Sequence, residues 1–213
     1  MSKSNLNLLE DLLRKNGRFD GRPFSDTEIE QFLNYYNLVL KWNSRLHLTT
    51  LSDPKSFFER HLRESEFAET FLLPEITQVW DLGSGLGIPG LPLAILRKDL
   101  PVTLVESKRR KAIFLEEVAF SLNLTKLAVA NLRIETLSTL PPRSCVAARA
   151  VEQMGNLIPA MIRIGSNCAQ MLFFGSEKLE ENILADFPDG FELKMISLPD
   201  SDHRFLVSLT CST

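Results

Sequence analysis

The chain has 213 residues, of which 44% are hydrophobic and 24% charged, with a formal net charge of −3. That length and apolar content suffice for one substantial core with an appendage, and no apolar stretch approaches the roughly 20 residues of a membrane span. The acidic balance argues against a protein that coats nucleic acid non-specifically, because phosphate binding needs clustered positive charge, but it leaves room for a local basic face.

The N-terminal "MSKSNLNLLEDLLRKNG" lacks the apolar run and small-residue cleavage site of a signal peptide, so a cytoplasmic location is expected. Leu6, Leu9 and Leu13, with Leu8 and Leu12, have helical spacing, and Gly17 supplies a stop. Ser25 and Glu28 form a capping-box pattern ahead of Ile29, Phe32, Leu33, Tyr36 and Leu40, which share one helical face. Asp53-Pro54 is a cap followed by a first-turn proline and predicts a third helix carrying Phe57, Phe58, His61 and Leu62. Residues 1–74 therefore read as a helical cap and residues 75–213 as the main domain. His61 shares the apolar face of Phe57 and reads as a hydrogen-bonded core histidine, whereas His203 reads as solvated. Cys145, Cys168 and Cys211 lie far apart among apolar neighbours, which predicts buried structural thiols and no metal site.

From Gln78 onward short β-rich segments alternate with helical ones: "QVWDL", "VTLVE", "LAVA", "CVAAR" and "AQMLFF", then "FELKMISL" and "RFLVSL". The first five recur at intervals of roughly twenty to twenty-five residues, the length of a βα unit. The last two are joined by the short "PDSDH" and predict an antiparallel hairpin at a sheet edge. The expected fold is α/β, a doubly wound, mainly parallel seven-stranded sheet with an N-terminal helical cap and a C-terminal hairpin.

The first strand ends in Asp81 and runs into Gly83, Gly85, Gly87 and Gly90, a turn where backbone can adopt positive φ and a ligand can approach without meeting a Cβ. In an open parallel sheet this is the ligand position, and Glu106, ending the next strand, lies where ribose hydroxyls can be held. A nicotinamide dinucleotide and S-adenosylmethionine both fit that much. Two residues weigh against the dinucleotide: Pro89 has no N–H to offer a pyrophosphate, and Asp81 adds negative charge beside it. S-adenosylmethionine has no phosphate and carries a sulfonium cation, so both features become neutral or helpful. No Gly-Lys-Ser/Thr follows to bind a nucleoside triphosphate. Lys108, Arg109, Arg110 and Lys111 crowd the expected start of the following helix, against its dipole, and point to an anionic partner.

Several segments in order, "KWNSRLHLTTLSDP", "ERHLRES", "DLGSGLGIPGLPLAI", "VTLVESKRRKAIFLEEV", "NLRIETL", "ARAV" and "HRFLVSL", resemble the bacterial glucose-inhibited-division protein B (GidB) family of small-subunit ribosomal RNA guanine-N7 methyltransferases. The resemblance covers most of the chain. Trp42-Asn43, Asp53-Pro54, the Gly-Ile-Pro-Gly turn and Arg149-Ala150 are more specific than the glycines alone. It implies a class I, Rossmann-like methyltransferase domain that uses S-adenosylmethionine and acts on 16S ribosomal RNA or the small ribosomal subunit, without membrane or metal, as a monomer. By resemblance, Gly83 and Ile88 line the methionine and adenosine pocket with Asp81 and Gly85, Glu106 holds the ribose, Ile134 and Glu135 border the adenine, and Arg149 closes the cleft. Arg133 and Arg204 match arginines placed near cofactor or RNA, and with Arg149 they are the catalytic candidates; residues 108–111 are the RNA-binding candidates. Four residues depart from the family pattern: Phe174 replaces a lysine before Gly175, His47 an asparagine, and Arg63-Glu64 the usual pair before Ser65.

Guanine N7 already presents a lone pair, so its methylation needs no general base, which fits a chain with no evident acid–base pair. A non-catalytic RNA or ribosome binder that keeps the fold is the rival from another class, and a nicotinamide-dependent oxidoreductase is a third reading.

Overall fold

In the computed structural model, residues 3–149, 156–184 and 187–211 are described. The chain opens with helices α1 (Lys3–Asn16), α2 (Asp26–Leu46) and α3 (Pro54–Phe57), the last continuing through a π-helical turn, Phe58–Arg63, into α4 (Glu64–Glu69). Then come β1 (Gln78–Leu82), α5 (Gly90–Leu96), β2 (Val102–Val105), α6 (Arg109–Ser121), β3 (Leu127–Ala130), a 3-10 turn at Ile134–Thr136 and β4 (Ser144–Arg149). The remainder is α7 (Ile158–Gly165), β5 (Gln170–Gly175), α8 (Lys178–Leu184), β6 (Phe191–Ser197) and β7 (Phe205–Cys211).

The strands form one seven-stranded sheet in the order β3-β2-β1-β4-β5-β7-β6. The first five are parallel, and β7 runs antiparallel between β5 and β6. Strand alternation divides the apolar side chains between the two faces. On β4 and β5, Cys145, Ala147, Leu172 and Phe174 belong to one core, and Val146, Ala148, Met171 and Phe173 to the other. The first core also contains Leu9, Leu13, Phe32, Tyr35 and Phe57, so the N-terminal helices pack on the same face as α5 and α6 and share its apolar interior. Helices α7 and α8 cover the opposite face.

Local signals set the helix ends. Gly17, at φ 61°, follows α1. Ser25 and Glu28 make the reciprocal capping box at α2, and Asp53 caps α3 through the Ser56 N–H. The third helix carries Phe57, Phe58, His61 and Leu62 as expected, with the π turn interrupting it. The buried stripe of α2 is rotated from the expected one. Tyr35 and Val39 enter the core with Ile29, Phe32 and Tyr36, while Leu33 and Leu40 are only partly buried; α2 packs on α5 and α6, and Tyr35 bonds to Leu86 O in the turn before α5. Cys145 and Cys168 are buried, but Cys211, at the end of β7, is exposed, which corrects its expected burial.

Candidate cofactor and active site

The turn after β1 is tied down on several sides. Gly83 and Ser84 donate to the Val105 carbonyl at 2.9 and 3.0 Å, and Gly87 donates to Ser84 O at 2.6 Å. Gly83, Gly85 and Gly87 have φ of 74°, 58° and 100°, so a side chain would strain each of them. From α2, the fully buried Tyr35 donates its hydroxyl to Leu86 O at 2.7 Å, a bond that fastens the helical segment to the glycine turn.

Asp81 is fully buried, and its Oδ2 accepts the Gly90 N–H at 3.1 Å. The first N–H after Pro89 is therefore already given to a carboxylate, which leaves a diphosphate neither donor nor electrostatic welcome there. The other oxygen, Oδ1, is buried without a hydrogen-bond partner. Burial, opposed chiefly by the Gly90 N–H, pushes the Asp81 carboxyl up to about 7. A cationic group is what such an acid lacks. At Gly85 a Cβ would meet only Gly83 O, 3.8 Å away, so the turn is open on that side. An unpartnered buried acceptor and an open glycine cradle fit the ammonium and sulfonium of S-adenosylmethionine.

Glu106 stands at the end of β2, and its carboxylate bridges two elements. Oε2 accepts from Gly85 N at 2.9 Å and Oε1 from Lys108 N at 2.7 Å. Each oxygen retains acceptor capacity for a ribose hydroxyl. Asn131, after β3, donates to the Glu106 and Ser107 carbonyls and holds this corner in place. Lys108 is the N-cap of α6, and Arg109, Arg110 and Lys111 fill its first turn; all but the half-buried Lys111 are exposed. The Glu106 carboxylate at the same helix end offsets part of their unfavourable placement.

Among the other predicted residues, Ile88 and Ile134 are buried in the two cores, and Arg133 and Glu135 are exposed at the 3-10 turn after β3. Arg149 ends β4 but is not a surface arginine. Its Nη1 donates to His61 Nδ1 at 2.6 Å, its Nη2 lies 3.4 Å from Glu64, and burial pushes its pKa down to about 10. Arg204 donates through Nη2 to Glu64 Oε2 at 2.6 Å, its Nη1 meets Oε1, and Arg60 reaches the same carboxylate at 3.0 Å. Three cations thus converge on one buried carboxylate, leaving positive charge at the carboxyl end of the sheet. Phe174 is in register with Arg149 and fully buried, so no cation stands at that position. His47 occupies a left-handed C-cap at φ 47°, a conformation asparagine tolerates well and histidine next. Ala150, of the Arg149-Ala150 pair, and Val151, of "ARAV", lie outside the described residues.

Tyr35, Arg60 and Glu64, the shared anion, are site residues that the sequence motifs do not mark. The helical phase places Tyr35 beside the expected stripe; Arg60 and Glu64 have i,i+4 spacing, but nothing local marks the convergence of Arg149 and Arg204 on the same carboxylate.

The family model described as rRNA small subunit methyltransferase G, GidB, matches residues 28–195. The chain belongs to this family. Ribosomal RNA small subunit methyltransferase G of Pectobacterium carotovorum is 30% identical over 193 residues, covering 89% of this chain and 93% of its own. The protein of that name from Pseudomonas fluorescens is 32% identical, covering 88% and 83%. Among solved structures, a SAM-dependent methyltransferase from Aquifex aeolicus superposes with a TM-score of 0.57 at 12% identity, over 78% of this chain and 97% of that one. A putative methyltransferase of Escherichia coli gives 0.55 at 19% identity, over 71% and 88%. The sheet order and these likenesses make the fold that of the class I methyltransferases. No described helix is long and apolar enough to cross a membrane, and no three described His, Cys, Asp or Glu residues are grouped to hold a metal.

Proposed function

We propose that this GidB-family methyltransferase moves a methyl group from S-adenosylmethionine to N7 of a guanosine in small-subunit ribosomal RNA, as a cytoplasmic monomer acting on the small ribosomal subunit or its RNA. The observation that carries the reading is the Asp81 carboxylate seated at the proline-blocked start of α5, in a chain that belongs to this family.

When bound, the cofactor supplies an activated methyl group on a positively charged sulfur. Asp81 and the backbone of Gly83–Gly87 would receive its methionine end, Glu106 its ribose, and the 3-10 turn at Ile134 and Glu135 its adenine. Guanine N7 carries no proton, so the chain's task is positional: to hold that nitrogen in line with the methyl group and exclude water. An arginine bonded to O6 and N7 together would occupy the nucleophile's lone pair. Arg149 and Arg204 would therefore meet O6 or a phosphate, and residues 108–111 the RNA backbone, with Arg133 at the cofactor's edge.

Mixing the protein with labelled S-adenosylmethionine and small subunits lacking the modification tests the proposal. Label is expected on a guanine N7; label on another atom, on protein, or nowhere contradicts it. A pure binder that keeps the fold would bind subunits and transfer nothing.

A further inference from the structure

An unbroken hydrogen-bond chain runs from α2 to the sheet. Asn43 grips both backbone groups of Thr49: Nδ2 donates to Thr49 O at 2.9 Å, and Oδ1 accepts from Thr49 N at 3.0 Å. Thr49 Oγ1 lies 3.0 Å from His61 Nε2, and Arg149 Nη1 lies 2.6 Å from His61 Nδ1. Arginine has only donors, so Nδ1 accepts and the imidazole proton sits on Nε2, directed at Thr49. His61 is buried, with the Phe57 ring 5.2 Å away by centroid and Arg60, Arg149, Arg204 and Glu64 around it. Burial and then the Arg149 charge hold its pKa well below the ordinary 6.5, so the ring is neutral.

The carboxylate of Glu64 cannot orient Arg149 alone, because Arg60 and Arg204 share it and its contact with Arg149 is the longer one, 3.4 Å. A neutral imidazole offers a single acceptor in a fixed plane, which selects one N–H of the guanidinium. The three members of the chain before Arg149 come from separate segments, α2, the loop after it and the π turn, so their meeting is a product of the fold. A π turn admits an extra residue into a helix and re-aims the side chains beyond it, and His61 lies within one.

We propose that Asn43, Thr49 and His61 are positioning residues that fix the Arg149 guanidinium at the carboxyl end of β4, leaving its other N–H groups for the substrate side of the cleft. This rests on the reading of Arg149 as an arginine of the active cleft. Two substitutions separate positioning from mere filling of space. His61→Asn puts an amide oxygen near the place of Nδ1 and keeps an acceptor for Arg149. His61→Gln reaches toward the place of Nε2 and leaves Arg149 without one. The expected result is that His61→Gln lowers kcat on small subunits roughly ten- to a hundredfold, the scale of a slightly misplaced active-site group, while His61→Asn retains most of it. Both variants should melt at similar temperatures. Equal losses in both, or losses that follow the melting temperatures, overturn the proposal. Nitrogen-15 NMR of the wild-type protein gives a readout independent of turnover: His61 should remain the neutral Nε2–H tautomer as pH is lowered from 8 through its free pKa of about 6.5. An Nδ1–H tautomer, or protonation near that free value, overturns the proposal as well. An inactive wild-type protein would sink the methyltransferase reading and leave the spectrum to judge the chain.

Discussion

At the scale of single residues, Asp81 carries most of the argument for the cofactor. A buried carboxyl with one oxygen on Gly90 N and the other unpartnered is costly when ionised, and burial raises it to about 7. The folded state therefore binds this proton more tightly than the unfolded chain, whose ordinary value is 3.8, and the contribution to stability falls as pH rises from about 4 to 7. A cationic ligand reverses the preference, because only the ionised acid attracts it. Asp81→Asn keeps an acceptor for Gly90 and removes the charge. Its expected effects are a higher melting temperature than the wild type at pH 8 and cofactor affinity at least about tenfold weaker, worth about 1.4 kcal/mol. Calorimetric titration and thermal melts at pH 6 and 8 check both, and unchanged affinity would remove Asp81 from the site.

At the scale of elements, the helix beginning at Arg109 joins the cofactor corner to a candidate RNA face. Glu106 binds inward to Gly85 and Lys108, while the cations that follow face largely outward. Replacing Lys108, Arg109 and Arg110 by glutamine should raise KM for small subunits and flatten its salt dependence by roughly one log unit per lost phosphate contact, leaving cofactor affinity near wild type. Titration of subunit binding at several salt concentrations measures this, and an unchanged slope contradicts an RNA role. The strands were legible because buried β segments announce themselves: "QVWDL" is β1 residue for residue, and the other six segments fall on strands to within a residue or two. The glycine turn, Glu106 and the capping box were legible for the same reason, being local. The insertion of β7 between β5 and β6 was not, because hairpin chemistry specifies pairing within the hairpin and not which strand meets the rest of the sheet. Tyr35 lies off the apolar stripe that the helical spacing predicts, and its role shows only once its hydroxyl is seen on Leu86 O. Arg60 and Glu64 have helical i,i+4 spacing, but Arg204 reaches the same carboxylate across 140 residues of chain, beyond any periodic pattern.

At the scale of the whole molecule, the N-terminal helices and the sheet share one apolar interior, and polar links cross between them, among them Tyr35 to the glycine turn, His61 to β4, Glu64 to Arg204, and Gln170 to Phe71 and Leu73. We propose that residues 1–74 act as a cap that braces both sides of the cofactor crevice, with the catalytic machinery in residues 75–213. On this reading the crevice takes an adenosyl group without phosphates and with a cationic sulfur. Calorimetric titration of the full chain with S-adenosylmethionine, NAD and ATP in parallel tests it most directly. Saturable heat is expected with S-adenosylmethionine, stronger at pH 8 than at pH 6, and none with the two phosphate-bearing ligands; tight binding of NAD or ATP with no response to S-adenosylmethionine would overturn this assignment of the crevice.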